Sequence, residues 1–126
     1  MRELMIQDIK KVLLVDDDEG ILEALTAILE FEGYSIKTAT SAARVLQTVK
    51  KEKPQLILLD FMLGGTNGNV VAHVLKSTPQ TASIPIIMIS AHPNAAAEAQ
   101  ECGADDFIAK PFDIDELLEK INRYAA

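Results

Sequence analysis

The sequence predicts an α/β fold, a doubly wound five-stranded parallel sheet with the strand order 2-1-3-4-5. Short apolar runs alternate with amphipathic helical segments, which is typical of a parallel sheet with helices on both faces. Four of these runs end abruptly in a polar residue with reactive chemistry: Asp16, Asp60, Ser90 and Lys110. Because parallel strands end at the same edge of a sheet, we expect that edge to be the functional face.

The composition narrows the class of protein. With 126 residues, 48% of them hydrophobic and 25% charged, the chain fits a lead-in over residues 1–10 and one globular domain over residues 11–126. A formal net charge of −7 argues against a nucleic-acid surface on this domain. Neither a membrane-spanning stretch nor a signal-peptide pattern is present in the sequence, so we expect a cytoplasmic protein without membrane contact.

The first half of the chain predicts two helices and one edge strand. Residues 19–32 carry an apolar stripe at helical spacing that stops at Gly33, a common residue just past a helix end. Asp18 directly precedes this helix and is expected to cap it. Residues 34–39 alternate apolar and polar side chains, as expected for a strand at the edge of the sheet. A second helix is predicted over residues 41–52.

The second half repeats the alternation. A glycine-rich turn over residues 64–68 follows the third strand and leads into a helix that ends before Pro79. After the fourth strand, Asn94 is expected to cap an alanine-rich helix that ends at Gly103. The last helix is predicted from the capping-box pattern that begins at Asp113.

The polar residues at the strand ends indicate a site for a metal and a phosphoryl group. Asp16, Asp17 and Asp60 would repel one another in one crevice, and a hard cation such as Mg²⁺ relieves that repulsion. Lys110 adds a positive charge and Ser90 a hydrogen-bond donor, which suits a dianionic phosphoryl group. Asp60 stands alone at its strand end and is the candidate nucleophile that would form an aspartyl phosphate.

Four motifs resemble the receiver domains of two-component response regulators, including the single-domain chemotaxis type. They are Val15-Asp16-Asp17, Leu59-Asp60 with Gly68 eight residues on, Ile89-Ser90-Ala91, and Lys110-Pro111-Phe112, within a match over residues 11 to about 124. The resemblance implies a flavodoxin-like (βα)5 fold and Mg²⁺-dependent phosphoryl transfer to Asp60 from a sensor histidine kinase or a phosphotransfer protein. Such a domain is not an enzyme, since it assists only its own phosphorylation and dephosphorylation.

The resemblance also implies a ligand set for the metal. Mg²⁺, with Mn²⁺ as a substitute, would be held by Asp17, Asp60, the backbone carbonyl of Met62 and, often through water, Asp16. A cis peptide bond before Pro111 is implied as well, and it would help to aim the preceding lysine.

A switch is implied in the same way. Ser90 would move toward the phosphoryl group, and Phe107 would turn inward to fill the vacated space. This movement would alter a partner-binding surface made by the fourth helix, the fifth strand and the fifth helix. Met62 and His92 match the two positions that tune dephosphorylation in the family, and we predict that the phosphoryl lifetime is sensitive to His92→Ala.

The chain departs from the family pattern at Gly64, where many receivers have proline. Gly65 follows, so the loop is expected to be more flexible than usual. We expect Gly64→Pro to stiffen this loop with little effect on phosphoryl uptake.

Several alternatives stay open at the level of sequence. A degenerate receiver that acts only as a docking module is one, and a haloacid-dehalogenase-type phosphatase is another, although the latter would need a second aspartate where Met62 stands. A flavodoxin-like FMN binder is disfavoured because Asp16 and its neighbours would repel the phosphate. The chain ends directly after the last predicted helix, which suits either a free-standing regulator or a receiver excised from a larger one. The cognate kinase, the downstream protein partner and homodimer formation are open.

Overall fold

A single parallel sheet organises the molecule. The computed structural model describes residues 10–125, so the predicted lead-in over residues 1–10 lies outside the described residues except for Lys10. The five strands of the sheet are β1 (Lys11–Val15), β2 (Ser35–Ala39), β3 (Leu56–Asp60), β4 (Ile86–Ser90) and β5 (Asp106–Ala109). Their order is β2-β1-β3-β4-β5, with all neighbours parallel, which confirms the predicted doubly wound topology.

Helices cover both faces of the sheet. They are α1 (Glu19–Phe31), α2 (Ala42–Glu52), α3 (Gly68–Ser77), α4 (Ala95–Glu101) and α5 (Ile114–Ala125). Because successive side chains of a strand point to opposite faces, Val12 and Leu14 pack with α1 and α5, whereas Leu13 and Val15 pack with α2 and α3. The three central strands are therefore buried on both sides, which explains their continuous apolar runs.

The helix starts agree with the sequence only in part. The Asp18 carboxylate accepts hydrogen bonds from the backbone N–H groups of Gly20 and Ile21, as expected of a helix cap. Asn94 directly precedes α4, but its side chain makes no capping hydrogen bond, so that prediction is wrong in its chemistry. The α4 start instead uses backbone contacts, since the Asn94 carbonyl accepts from Glu98 N–H.

The glycine-rich turn is more structured than predicted. Met62–Leu63 and Thr66–Asn67 form a small antiparallel hairpin between β3 and α3, which we call the β3–α3 hairpin. Two-residue strands are too short to show an alternating pattern in the sequence, so this element could not be predicted. Separately, none of the helices in the described part of the chain has the length and hydropathy needed to span a bilayer.

Candidate functional site

Three carboxylates meet at the carboxyl edge of the sheet. Asp16 directly follows β1 and Asp60 ends β3, and the pairing of Val15 with Leu59 brings these two strand ends side by side. One carboxylate oxygen from each of Asp16, Asp17 and Asp60 lies within 4.8 Å of the others. Asp16 and Asp60 are buried, whereas Asp17 is exposed. The predicted acidic crevice is therefore formed.

Backbone N–H groups orient two of these carboxylates. Asp18 N–H donates to Asp16 Oδ1 at 2.9 Å, and Gly64 N–H donates to Asp17 Oδ2 at 2.9 Å. The second contact crosses from the β3–α3 hairpin to the end of β1. A local turn thus holds Asp16, while Asp17 depends on the path of a loop that is distant in sequence.

Lys110 places its ammonium group between two of the acids. Its Nζ lies 2.9 Å from Asp60 Oδ1 and 3.9 Å from Asp16 Oδ2. The residue follows β5 directly, and its backbone N–H donates to the Ser90 carbonyl at 2.9 Å, which continues the β4–β5 pairing to the edge of the sheet. The Lys110–Pro111 peptide is cis, as the resemblance implied.

The electrostatics of the cluster favour a bound cation. Burial raises the pKa of Asp16; the hydrogen bond from Asp18 N–H opposes this shift, Asp60 adds to it, and Lys110 opposes it. Hard carboxylate oxygens suit Mg²⁺, which is usually bound by one or two protein carboxylates and keeps several waters. Direct coordination by two of these acids, with water between the ion and the third, fits their spacing.

A cleft opens beside Asp60. Its volume is about 370 Å³, and its lining includes Asp60, Met62, Ser90, His92 and Lys110. Ser90 ends β4 and is buried, and its Oγ accepts a hydrogen bond from His92 N–H at 2.8 Å. The acceptor, hydroxyl and ammonium groups predicted from the strand ends therefore face one shared space.

Gly68 is a structural requirement of this site that the sequence marked only by its spacing. Its N–H donates to the Phe61 carbonyl, and a Cβ at this position would collide with the carbonyl oxygen of Asp60. A glycine is needed because α3 begins in direct contact with the backbone of the candidate acceptor.

A family model described as the response regulator receiver domain matches residues 12–122. The chain belongs to this family. The predicted class, a signalling domain of two-component response regulators, is confirmed, and the phosphatase and FMN-binding alternatives are not supported by this match. The shared acidic cluster, Asp16, Asp17 and Asp60, is one that could hold a metal.

Curated relatives of this receiver domain are longer proteins. The phosphate regulon transcriptional regulatory protein PhoB of Pseudomonas aeruginosa is 40% identical over 114 residues, which are 89% of this chain and 50% of the relative. The DNA-binding response regulator MtrA of Mycobacterium tuberculosis is 36% identical over 114 residues, 89% of this chain and 49% of the relative. The chain spans about half the length of the curated relatives it matches.

Solved structures support the same fold. A putative response regulator from Chloroflexus aurantiacus is 30% identical with a TM-score of 0.87, covering 93% of this chain and 98% of that one. The receiver domain of NtrX from Brucella abortus is 35% identical with a TM-score of 0.82, covering 90% of this chain and 97% of that one. The chemotaxis response regulator CheY4 of Vibrio cholerae is 26% identical with a TM-score of 0.84, covering 92% and 98%.

The remaining predicted positions of this receiver domain lie around the cleft and on β5. Met62 is exposed on the hairpin, and the His92 ring is tilted against that of Phe61 with their centroids 5.3 Å apart. Phe107 is half-buried on β5 and packs against the core that underlies α2, α3 and α4.

The structure overturns the expectation for Gly64. Its φ of 60° lies in the left-handed region that proline cannot adopt, and its N–H is the donor to Asp17. Flexibility of the loop was the wrong inference, because the glycine here supplies one particular backbone conformation and one hydrogen bond.

Gly64→Pro should therefore weaken Mg²⁺ binding, because it removes the donor that orients Asp17. We expect a loss of about tenfold, corresponding to one charge-assisted hydrogen bond of about 1.5 kcal/mol. Isothermal titration with Mg²⁺ measures this. Gly64→Ala is the matched control, since it keeps the N–H while meeting a similar backbone strain. Equal Mg²⁺ affinity in the proline variant and the wild type would contradict the role of this contact.

Proposed function

We propose that this receiver domain, residues 11–126, accepts a phosphoryl group on Asp60 in a Mg²⁺-dependent transfer from a sensor histidine kinase or a phosphotransfer protein. The observation that carries the proposal is the pairing of Lys110 Nζ with Asp60 Oδ1 at 2.9 Å, at the mouth of a cleft and beside two further aspartates. A buried carboxylate that is merely structural would have no need of an open cleft and two like charges.

The acids divide between two roles. Asp17, Asp60 and the Met62 backbone carbonyl would hold Mg²⁺, or Mn²⁺ in its place, and Asp16 would contact the ion through water. The ion supplies charge neutralisation for the phosphoryl oxygens when it is bound. Asp16 suits the water-mediated role because one of its oxygens already accepts from Asp18 N–H and its side chain is buried.

The chain's own groups then perform the transfer. An Asp60 carboxylate oxygen attacks the phosphorus, the bond from phosphorus to the donor breaks, and the donor leaves with that electron pair. The Lys110 ammonium group is already beside Asp60 and would pair with a phosphoryl oxygen. The Ser90 hydroxyl accepts from His92 N–H, so its own proton is available to donate to another phosphoryl oxygen.

The proposed output is a change of surface. Movement of Ser90 toward the phosphoryl group and inward rotation of Phe107 would alter the face made by α4, β5 and α5, where a downstream protein partner would bind. Two observations support this: Phe107 is half-buried, and its β5 position pairs with Met88 on the strand that ends at Ser90. Burial of a phenyl ring leaves no hydroxyl without a partner, so the rotation has little polar cost.

The proposal is tested with acetyl phosphate as the donor. We expect intact-mass spectrometry to show one phosphoryl adduct in Mg²⁺ and none in EDTA, with Mn²⁺ restoring it, because the transfer needs a hard divalent cation in the acidic cluster. Incubation in Ca²⁺ is the control for a general charge effect. Absence of an adduct with acetyl phosphate and with a phosphorylated histidine donor would overturn the proposal in favour of the docking module.

A further inference from the structure

His92 has two competing partners at one ring nitrogen. Its Nδ1 lies 3.2 Å from the backbone nitrogen of Asn94 and 3.3 Å from Glu98 Oε2. A neutral imidazole nitrogen either accepts a hydrogen bond with its lone pair or donates with its proton, and it cannot do both. Asn94 N–H requires the lone pair and the Glu98 carboxylate requires the proton. The two neighbours therefore select opposite tautomers of His92.

Burial decides between these partners. Glu98 Oε2 is a buried oxygen with no hydrogen-bond partner among the described residues unless Nδ1 carries a proton. An unsatisfied buried acceptor is costly, and more so when it is ionised. Asn94 is exposed, so water can replace the ring as the partner of its N–H. The Nδ1–H form, donating to Glu98, is the better-satisfied arrangement.

The location of the ring gives this choice a consequence. His92 lines the cleft that also contains Asp60, Ser90 and Lys110, and the ring packs against Phe61. When Nδ1 holds the proton, Nε2 holds a lone pair. The tautomer of a histidine is set by the hydrogen bond that its other nitrogen makes. Glu98 on α4 thereby controls whether the cleft contains a proton acceptor.

We infer that Glu98 is a positioning residue that makes His92 a general base for loss of the phosphoryl group; this inference rests on the proposed function of Asp60. Water attacks the phosphorus and its proton passes to His92 Nε2. The bond from phosphorus to the Asp60 oxygen breaks, and the carboxylate leaves with the electron pair. Inorganic phosphate and free Asp60 result, and the imidazolium returns its proton to solvent.

The chain offers a matched pair of variants. Glu98→Ala removes the carboxylate from α4, and Glu101→Ala removes an exposed carboxylate from the same helix with the same change of charge. Alanine suits this helix, which already contains several. Each protein is loaded with acetyl phosphate and Mg²⁺, the donor is removed by rapid desalting, and the adduct is followed by intact mass.

We expect His92→Ala to slow the decay by about tenfold or more, since positioned bases contribute at least about 100-fold where they are fully effective. Glu98→Ala should slow it by about threefold, because part of the population keeps the Nδ1–H form, and Glu101→Ala should leave it unchanged. In a His92→Ala background, Glu98→Ala should have no further effect. Equal decay in all the single variants, or an undiminished Glu98→Ala effect in that background, would overturn the inference.

A spectroscopic measurement tests the tautomer directly. Long-range ¹⁵N–¹H correlation spectra of His92 should show a protonated Nδ1 and an unprotonated Nε2 in the wild type at neutral imidazole. Glu98→Ala should shift the population toward protonated Nε2, and Glu101→Ala should not. A wild-type ring protonated at Nε2 would overturn the inference. Failure of the wild type to form any adduct would instead count against the proposed function, so the two failures are distinct.

Discussion

Asp60→Asn should take up no phosphoryl group from acetyl phosphate under conditions in which the wild type is labelled. The amide keeps the size of the side chain but has no carboxylate oxygen with which to attack phosphorus. It also removes one negative charge from the acidic cluster and the partner of Lys110 Nζ at 2.9 Å. Intact-mass spectrometry in Mg²⁺ measures the adduct directly, and the expected change is from labelled to background.

Asp18→Asn is the matched control for this result. It makes the same change of charge at the same edge of the sheet, and asparagine caps a helix about as well as aspartate does. We expect normal labelling of the control. An adduct of equal amount in Asp60→Asn would show that another residue is the acceptor, and loss of labelling in Asp18→Asn would show that labelling depends on overall charge.

Gly68→Ala should both destabilise the domain and impair phosphoryl uptake. The added Cβ would overlap the carbonyl oxygen of Asp60 and lie 3.0 Å from the Phe61 Cα, so the backbone of the acceptor segment has to shift. Overpacking against backbone costs about 2 to 3 kcal/mol, which lowers Tm by about 10 °C in a domain of this size. Thermal unfolding followed by circular dichroism measures the first effect, and the rate of labelling by acetyl phosphate measures the second.

Gly65→Ala provides the comparison within the same loop. A Cβ at Gly65 meets nothing within 4 Å, and this residue is not among those with positive φ, so Tm and labelling should stay close to the wild type. If Gly68→Ala matched this control in both measurements, the contact between α3 and the Asp60 backbone would be relaxed at no cost and would not position the acceptor.

Much of the architecture was predictable because burial leaves a periodic record in the sequence. The run Leu56-Ile57-Leu58-Leu59 is apolar at every position, and both faces of β3 are covered by helices. Asp18 was predictable as a cap since its chemistry is local. The same reasoning failed at Asn94, where a capping residue type is present without the capping bond. Residue type alone does not determine which backbone conformation a loop adopts.

The sequence by itself determined the strand order, the receiver family and the meeting of Asp16, Asp60, Ser90 and Lys110, because each of these follows from apolar runs and the residues that end them. Only the tertiary structure decided how these groups are held. The donation from Gly64 to Asp17 spans 47 positions in the sequence, and the approach of Glu98 to His92 depends on how α4 begins. Periodicity encodes which side chains are buried, whereas contacts of this kind depend on the three-dimensional path of loops.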